Sequence, residues 1–301
     1  MSRPSLSAAR RQDADADATE ILWLGEARCA DPARSGGKAA SLSRLAASRH
    51  VPHGFVVALA GPSLDRGLRR AVAAAYRRLG AVAGVADPPV AVRSSATDED
   101  GAGASFAGQH DTYLGVSGVD QVWWAIARCA SSFAGDRALA YRRRAGLAAP
   151  PGRAAVLVQL LVPADASGVV FSANPVTGAR DEIVVNAAFG LGESVVSGTV
   201  TPDAIVVGRH DLAVRDHAVA DKRAMTVAVP GGGTREVPVP GCLRTRPAVD
   251  AAQARAAARL AADLERETGG PVDIEVAWVG SDLFLLQCRP ITTLPTPRST
   301  P

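Results

Sequence analysis

The chain alternates short apolar runs with breakers, and the spacing inside each run separates strands from helices. Residues 21–24, 55–59, 90–92 and 156–162 are compact apolar segments bounded by Gly, Pro or polar clusters, which predicts buried strands. Residues 169–172, 183–186 and 205–207 predict three more. Helical spacing appears between them. The turn Gly36-Gly37-Lys38 opens a helix with Leu42, Leu45 and Ala46 on one face, and residues 68–79 form a second, with arginines on its outer side. Residues 122–145 predict a helix whose basic C-terminal end suits the helix dipole. A long Ala/Arg/Leu helix spans 251–268. Pro88-Pro89 and Pro150-Pro151 break the chain, a Gly-rich loop runs over 98–108, and 230–233 is a turn. No internal repeat is present, and the mixture predicts an α/β or α+β class.

The last two strands, 273–279 and 283–289, flank Gly280-Ser281-Asp282 and read as a hairpin. Pairing symmetric about Ser281 sets Glu275 opposite Gln287 and Asp273 opposite Arg289. Side chains alternate across a strand. One face then carries Ile274, Val276, Trp278, Phe284, Leu286 and Cys288, which must be the core face. The other gathers two carboxylates, an amide and a guanidinium. Such a patch suits Mg²⁺, which takes oxygen ligands and shares them with substrate phosphates. The same pattern also fits a solvated outer face with a cross-strand ion pair.

Composition narrows the classes. The 301 residues are 47% hydrophobic and 21% charged, ordinary for one large globular domain or two packed lobes, and the net charge is only +3. The arginines are scattered, and aromatic residues are 4% of the chain, which argues against a nucleic-acid partner read by base stacking. Cys29, Cys129, Cys242 and Cys288 form no CxxC or zinc spacing and read as small core residues of a reducing compartment. Residues 1–18 lack an apolar core for a secretory signal and read as a disordered tail, with a second tail over 295–301. No apolar run is long enough for a membrane span, so a cytoplasmic protein with no membrane partner is expected.

Three loops have the chemistry of phosphate handling. Gly36-Gly37-Lys38 offers free N–H groups and a cation at a helix start, although it lacks the upstream Gly of a Walker loop. Its alternative is a plain turn with a solvated lysine. Arg93-Ser94-Ser95-Ala96-Thr97, following the strand at 90–92, offers an arginine and small hydroxyls; its alternative is a cap whose Arg93 pairs with Asp98 or Glu99. Ala104-Ser105-Phe106-Ala107-Gly108 can present an anion nest.

Taken in order, the stretches GGKAASLSRL, VPHGFVV, VAVRSSATDEDGAGASFAGQHDTYLGV, VLVQLLV, SGVVFSANPVTGARDEIVVNAAFGLGESVVSGTVTPD and DIEVAW through LFLLQCRPIT resemble the ATP/AMP-binding domain of the phosphoenolpyruvate synthase, pyruvate phosphate dikinase and rifampin phosphotransferase family. They cover most of residues 21–292. The resemblance implies a two-lobed α+β ATP-grasp fold over 19–294, with ATP and Mg²⁺ as cofactors. It implies that Lys38, Arg93 and Arg289 hold the phosphates and carry the catalysis. It implies that Ser105, Phe106, Ala107 and Gly108 cover them, and that Gln159, Leu160, Leu161 and Val162 form a hinge strand against adenine. Glu275 and Gln287 are the implied metal ligands, with Glu193 facing the cleft and Lys222 as a further nucleotide contact.

The family pattern includes a swivelling phosphohistidine domain and an acceptor-binding barrel, and neither follows RPIT in this sequence. His50, His53, His110, His210 and His217 lie outside any phosphohistidine context. The stretch between GFVV and VAVRSS is also shortened, with one clear helix where the family carries several. The expected function is therefore an ATP-using phosphotransferase that hands a phosphoryl group to a histidine on a separate swivel-domain protein. A stand-alone small-molecule kinase is one alternative. A non-catalytic nucleotide-binding module or degenerate fragment is the other.

Overall fold

The computed structural model describes residues 19–59, 64–96, 112–133, 154–292 and 294–295. Helices and strands are mixed, and the chain divides into two compact units, as the α+β expectation requires. Unit 1 holds residues up to Arg44 and His53–Leu160; unit 2 holds Leu45–Pro52 and the chain from Leu161 on.

Unit 1 is built on a five-stranded antiparallel sheet in the order β1-β2-β5-β3-β4. The strands are β1 (Glu20–Trp23), β2 (Gly54–Leu59), β3 (Val90–Ala96), β4 (Thr112–Val116) and β5 (Ala154–Leu160). Three helices accompany them: α1 (Pro32–Leu45), α2 (Arg66–Ala83) and α3 (Val119–Ser132). Phe55, Val57, Val90, Val92, Val156 and Val158 form one sheet face, packed with Val72, Tyr76 and Leu79 of α2 and Val122 and Ile126 of α3. Helix α2 starts where Asp65 accepts the Leu68 N–H and ends at Gly84, whose φ of 68° closes the last turn. Its outer side carries the expected arginines, exposed at 66, 69, 70, 77 and 78. The strand expected at 90–92 continues to Ala96, so Arg93, Ser94 and Ser95 lie inside β3 and do not follow it. The part of the 122–145 helix beyond residue 133 lies outside the described residues, as do residues 1–18, the core of the Gly-rich loop with Ser105, Phe106, Ala107, Gly108 and His110, and most of the C-terminal tail.

Unit 2 is built on a six-stranded antiparallel sheet in the order β13-β12-β6-β7-β8-β9. Its strands are β6 (Ala166–Phe171), β7 (Glu182–Phe189), β8 (Asp203–Gly208), β9 (Val214–Ala218), β12 (Val272–Val279) and β13 (Asp282–Pro290). A separate hairpin, β10 (Ala224–Ala228) with β11 (Thr234–Pro238), turns through the expected 230–233 segment. A short helix, α4 (Glu193–Val196), precedes β8. Helix α5 (Ala251–Thr268) packs on the sheet through Ala254, Ala257, Ala258, Ala261 and Leu264, an i, i+3, i+4, i+7 stripe. Asp250 and Gln253 close a reciprocal capping box at its start.

The closing hairpin pairs as expected at its base, Asp273 with Arg289 and Glu275 with Gln287. Above that row the register shifts by one: Val276 meets Leu285, Ala277 meets Phe284 and Val279 meets Asp282. The loop is thus the two-residue Gly280-Ser281 turn, and the extra residue, Leu286, forms a bulge. The shift corrects two core assignments. Leu285 takes the core place and is 1% exposed, while Phe284 shares the opposite face with Glu275 and Gln287 and Leu286 is only partly buried. Trp278 is fully buried, as expected.

Among the described residues no helix is long and apolar enough to cross a membrane. Cys29, Cys129 and Cys288 are buried as expected, whereas Cys242 is exposed.

Candidate functional site

In unit 1 the Gly-Gly-Lys turn and β3 are fastened together. Helix α1 is broken at Gly36, whose φ of 78° and ψ of 163° restart the helix there. A Cβ at this position would lie 1.9 Å from the Ser95 carbonyl oxygen, so only glycine permits the approach. Ser95 Oγ donates to the Ser35 carbonyl at 2.8 Å and accepts from the Ala39 N–H at 3.1 Å, satisfying an amide that the restarted helix leaves open. The Lys38 side chain is 5% exposed, and its Nζ donates to the Ser94 carbonyl at 3.1 Å. This excludes the plain turn with a solvated lysine. A buried ammonium needs compensating partners.

The ladder sets which side chains share a face with this turn. Arg93 pairs with Leu157, Ala91 with Gln159 and Ser95 with Ala155, so Arg93, Ser95 and Gln159 occupy one face of the sheet. Val90, Val92 and Ser94 point into the core on the other. Lys38, Arg93 and Gln159, far apart in sequence, are thus brought to one side of unit 1. Gln159 is 1% exposed in the middle of the sheet, and the Leu160 N–H donates to the His53 carbonyl at 2.9 Å. The boundary between the units falls between Leu160 and Leu161, inside the stretch expected to act as a hinge.

In unit 2 the base of the β12–β13 hairpin gathers Glu275, Gln287 and Arg289. An Arg289 Nη2 lies 3.9 Å from Glu275 Oε1, with side-chain exposures of 28% and 17%. Gln287 is 2% exposed, and its Nε2 is buried with no hydrogen-bond partner. The two ends of an amide exchange by a flip of the side chain, so this buried, unsatisfied amide can turn its oxygen toward a cation. One carboxylate and one amide oxygen on adjacent strands fit Mg²⁺, which keeps several waters and takes further oxygens from phosphates. Among the described residues no three acidic, His or Cys side chains converge into an all-protein metal cage.

Two further expected residues lie in unit 2. Glu193 is exposed at the first position of α4 and accepts from Thr234 Oγ1 at 3.1 Å. Lys222 is fully buried. Its Nζ donates to Asp203 Oδ1 and to the Ala220 carbonyl, and lies 5.6 Å from the centre of the Phe189 ring. The ladder runs Val276, Gly168, Ala187, Asp203, which places Asp203 on the face opposite Glu275. Two strands, β6 and β7, also lie between β12 and β8, and the three steps amount to about 14 Å at the usual spacing. In this structure Lys222 is thus held by Asp203 and the Ala220 carbonyl.

Sequence reasoning missed Ser95 as the residue that ties the glycine turn to β3, and Asp203 as the partner of Lys222. The RSSA stretch pointed to the first only as one of several small hydroxyls. Nothing local in the sequence signals the second, because 19 residues separate the pair.

The pyruvate phosphate dikinase AMP/ATP-binding domain description matches residues 58–300. A probable phosphoenolpyruvate synthase of Methanocaldococcus jannaschii is 40% identical over 227 residues, covering 75% of this chain and 19% of that protein. A rifampicin phosphotransferase of a Streptomyces species is 37% identical, covering 91% of this chain and 36% of its own. The prodigiosin synthesizing transferase PigC of Serratia marcescens is 35% identical, covering 93% and 34%. The chain thus spans 19–36% of the length of these relatives. With the family description matching most of its length, this chain belongs to the pyruvate phosphate dikinase AMP/ATP-binding domain family.

Proposed function

We propose that the chain binds Mg²⁺·ATP and passes a phosphoryl group from it to a histidine on a separate swivel domain. The observation that carries this reading is the buried, unsatisfied Gln287 amide beside Glu275, with Arg289 within 3.9 Å of that carboxylate. A hairpin face built only for solvent does not bury an amide without a partner. Within unit 1, Lys38 and Arg93 lie on one side of the sheet.

In this reading Lys38, Arg93 and Arg289 neutralise the phosphate oxygens, and Glu275 and Gln287 hold the metal. Bound Mg²⁺ would draw charge off the phosphate oxygens and fix their geometry. The protein's own contribution is positioning and electrostatic stabilisation, since phosphoryl transfer asks for little covalent chemistry from side chains. The relatives named above are called after different products or acceptors, which supports placing acceptor choice outside this region. Lys222 is left out of the phosphate-binding set because its donors are committed to Asp203 and Ala220.

Calorimetric titration with ATP, with and without Mg²⁺, tests the reading. Metal-dependent binding by the native chain is expected, and Glu275→Ala should abolish the metal dependence while leaving the melting profile intact. Equal ATP affinity with and without Mg²⁺ in the native chain would remove the metal assignment. Absence of any ATP binding would remove the nucleotide reading as a whole.

A further inference from the structure

We infer that the imidazole of His50 is a nucleobase-stacking residue of unit 2, mounted on Phe284 for the base end of the nucleotide. The inference rests on the nucleotide reading above and adds to it a residue that selects for the base. The His50 and Phe284 rings lie with centroids 3.9 Å apart and planes inclined by 32°, close to an offset stack. Phe284 is half-buried and His50 is exposed, so the pair presents one covered ring and one open one.

The register shift gives the pair its position. Had the hairpin kept one register to its tip, Phe284 would point into the core. The bulge at Leu286 turns it onto the face of Glu275 and Gln287, two ladder rows beyond them. That row lies about 7 Å along the strands from the metal-donor row. A group there cannot share a metal with Glu275, but it is placed for the part of a nucleotide that extends away from its phosphates.

The backbone that carries the imidazole is also held in place. The Leu285 N–H donates to the His50 carbonyl at 3.0 Å, which anchors the backbone to the edge of β13. The neighbouring Arg49 pairs with Glu267 of α5, on the other side of the sheet. Residues 49 and 50 therefore straddle the edge strand, one gripping each side. A ring carried on an anchored backbone and already seated on Phe284 loses little freedom when a base stacks on it.

The test is titration of the full chain with Mg²⁺·ATP and with Mg²⁺·tripolyphosphate, which has the phosphates without the base. His50→Ala should weaken ATP binding by about fivefold or more and leave tripolyphosphate binding unchanged. His50→Phe should restore the ATP affinity. Unchanged ATP affinity in His50→Ala, or an equal loss for both ligands, would overturn the inference while the nucleotide reading stands. A native chain that binds neither ligand would overturn both.

Discussion

Lys222 donates to Asp203 inside unit 2, and neither side chain is reached by solvent. The carboxylate is fully engaged, since it also accepts the Ala220 N–H at 2.8 Å and the Ala248 N–H at 2.7 Å. The pair thus ties the start of β8 to the chain on both sides of the β10–β11 hairpin. Removing one member of a buried pair leaves an uncompensated charge. Lys222→Met should lower unfolding stability by about 3–5 kcal/mol. ATP affinity measured on the folded fraction should stay within about twofold of native. A normal denaturant midpoint with lost ATP binding would return Lys222 to the phosphate site.

Gly36→Ala tests the fastening of the glycine turn. The left-handed φ and the 1.9 Å approach to the Ser95 oxygen both exclude a side chain. The turn must lift off β3, taking Lys38 away from the Ser94 carbonyl. A stability loss of about 1–3 kcal/mol is expected. ATP binding should weaken at least about tenfold, the equivalent of one lost charged contact. Native ATP affinity in this variant would show that the turn takes no part in binding.

Trp278 is fully buried, and its ring lies so close to Gly168 that a Cβ there would come within 3.1 Å of it. Trp278→Ala opens a large cavity under β6 and should cost about 3–5 kcal/mol in denaturant unfolding. Its position on the core face, one strand position along from Ala277, makes this a stability effect. An unchanged midpoint would mean that the hairpin faces are inverted.

Burial pushes the Cys29 thiol up from its ordinary value of 9.0 to about 11, against smaller opposing contributions from Ser43 and Ser35. Below about pH 9 both folded and unfolded chains keep this proton. Between there and about pH 11 only the unfolded chain loses it, so stability should fall as pH rises through that window. Denaturant midpoints at about pH 8 and pH 10.5 should diverge less in Cys29→Ala than in the native chain. Equal divergence in both proteins would assign the alkaline loss to other groups.

The parts of the fold legible in the sequence are those whose side chains record their burial. The strands β2, β5 and β7 are apolar because their residues are largely covered, and α5 carries its stripe of alanines against the sheet. By contrast, β9 reads VRDHA and β11 reads TREVP, with charged residues and little burial. Their strand character comes from backbone ladders to β8 and β10, which composition does not register. The site divides in the same way. The Glu275–Gln287 row was legible because alternation and a short turn fix it locally. The contacts of Lys38 with Ser94 and of Ala39 with Ser95 each join residues 56 apart and have no local pattern to announce them. The error of one residue in the turn moved Phe284 and Leu285 to the wrong faces, because the side-chain period of a strand is two.

That extra residue at Leu286 makes the closing hairpin two registers in one ladder. The base, with its carboxylate and amide, is set by its pairing with β6 and by the core beneath it. The outer end, with Phe284 and the Gly280-Ser281 turn, follows a count of its own. A loop of altered length can then be absorbed above the bulge, while Glu275 and Gln287 stay opposite one another. The hairpin can vary at its tip without disturbing the row on which a cation would rest.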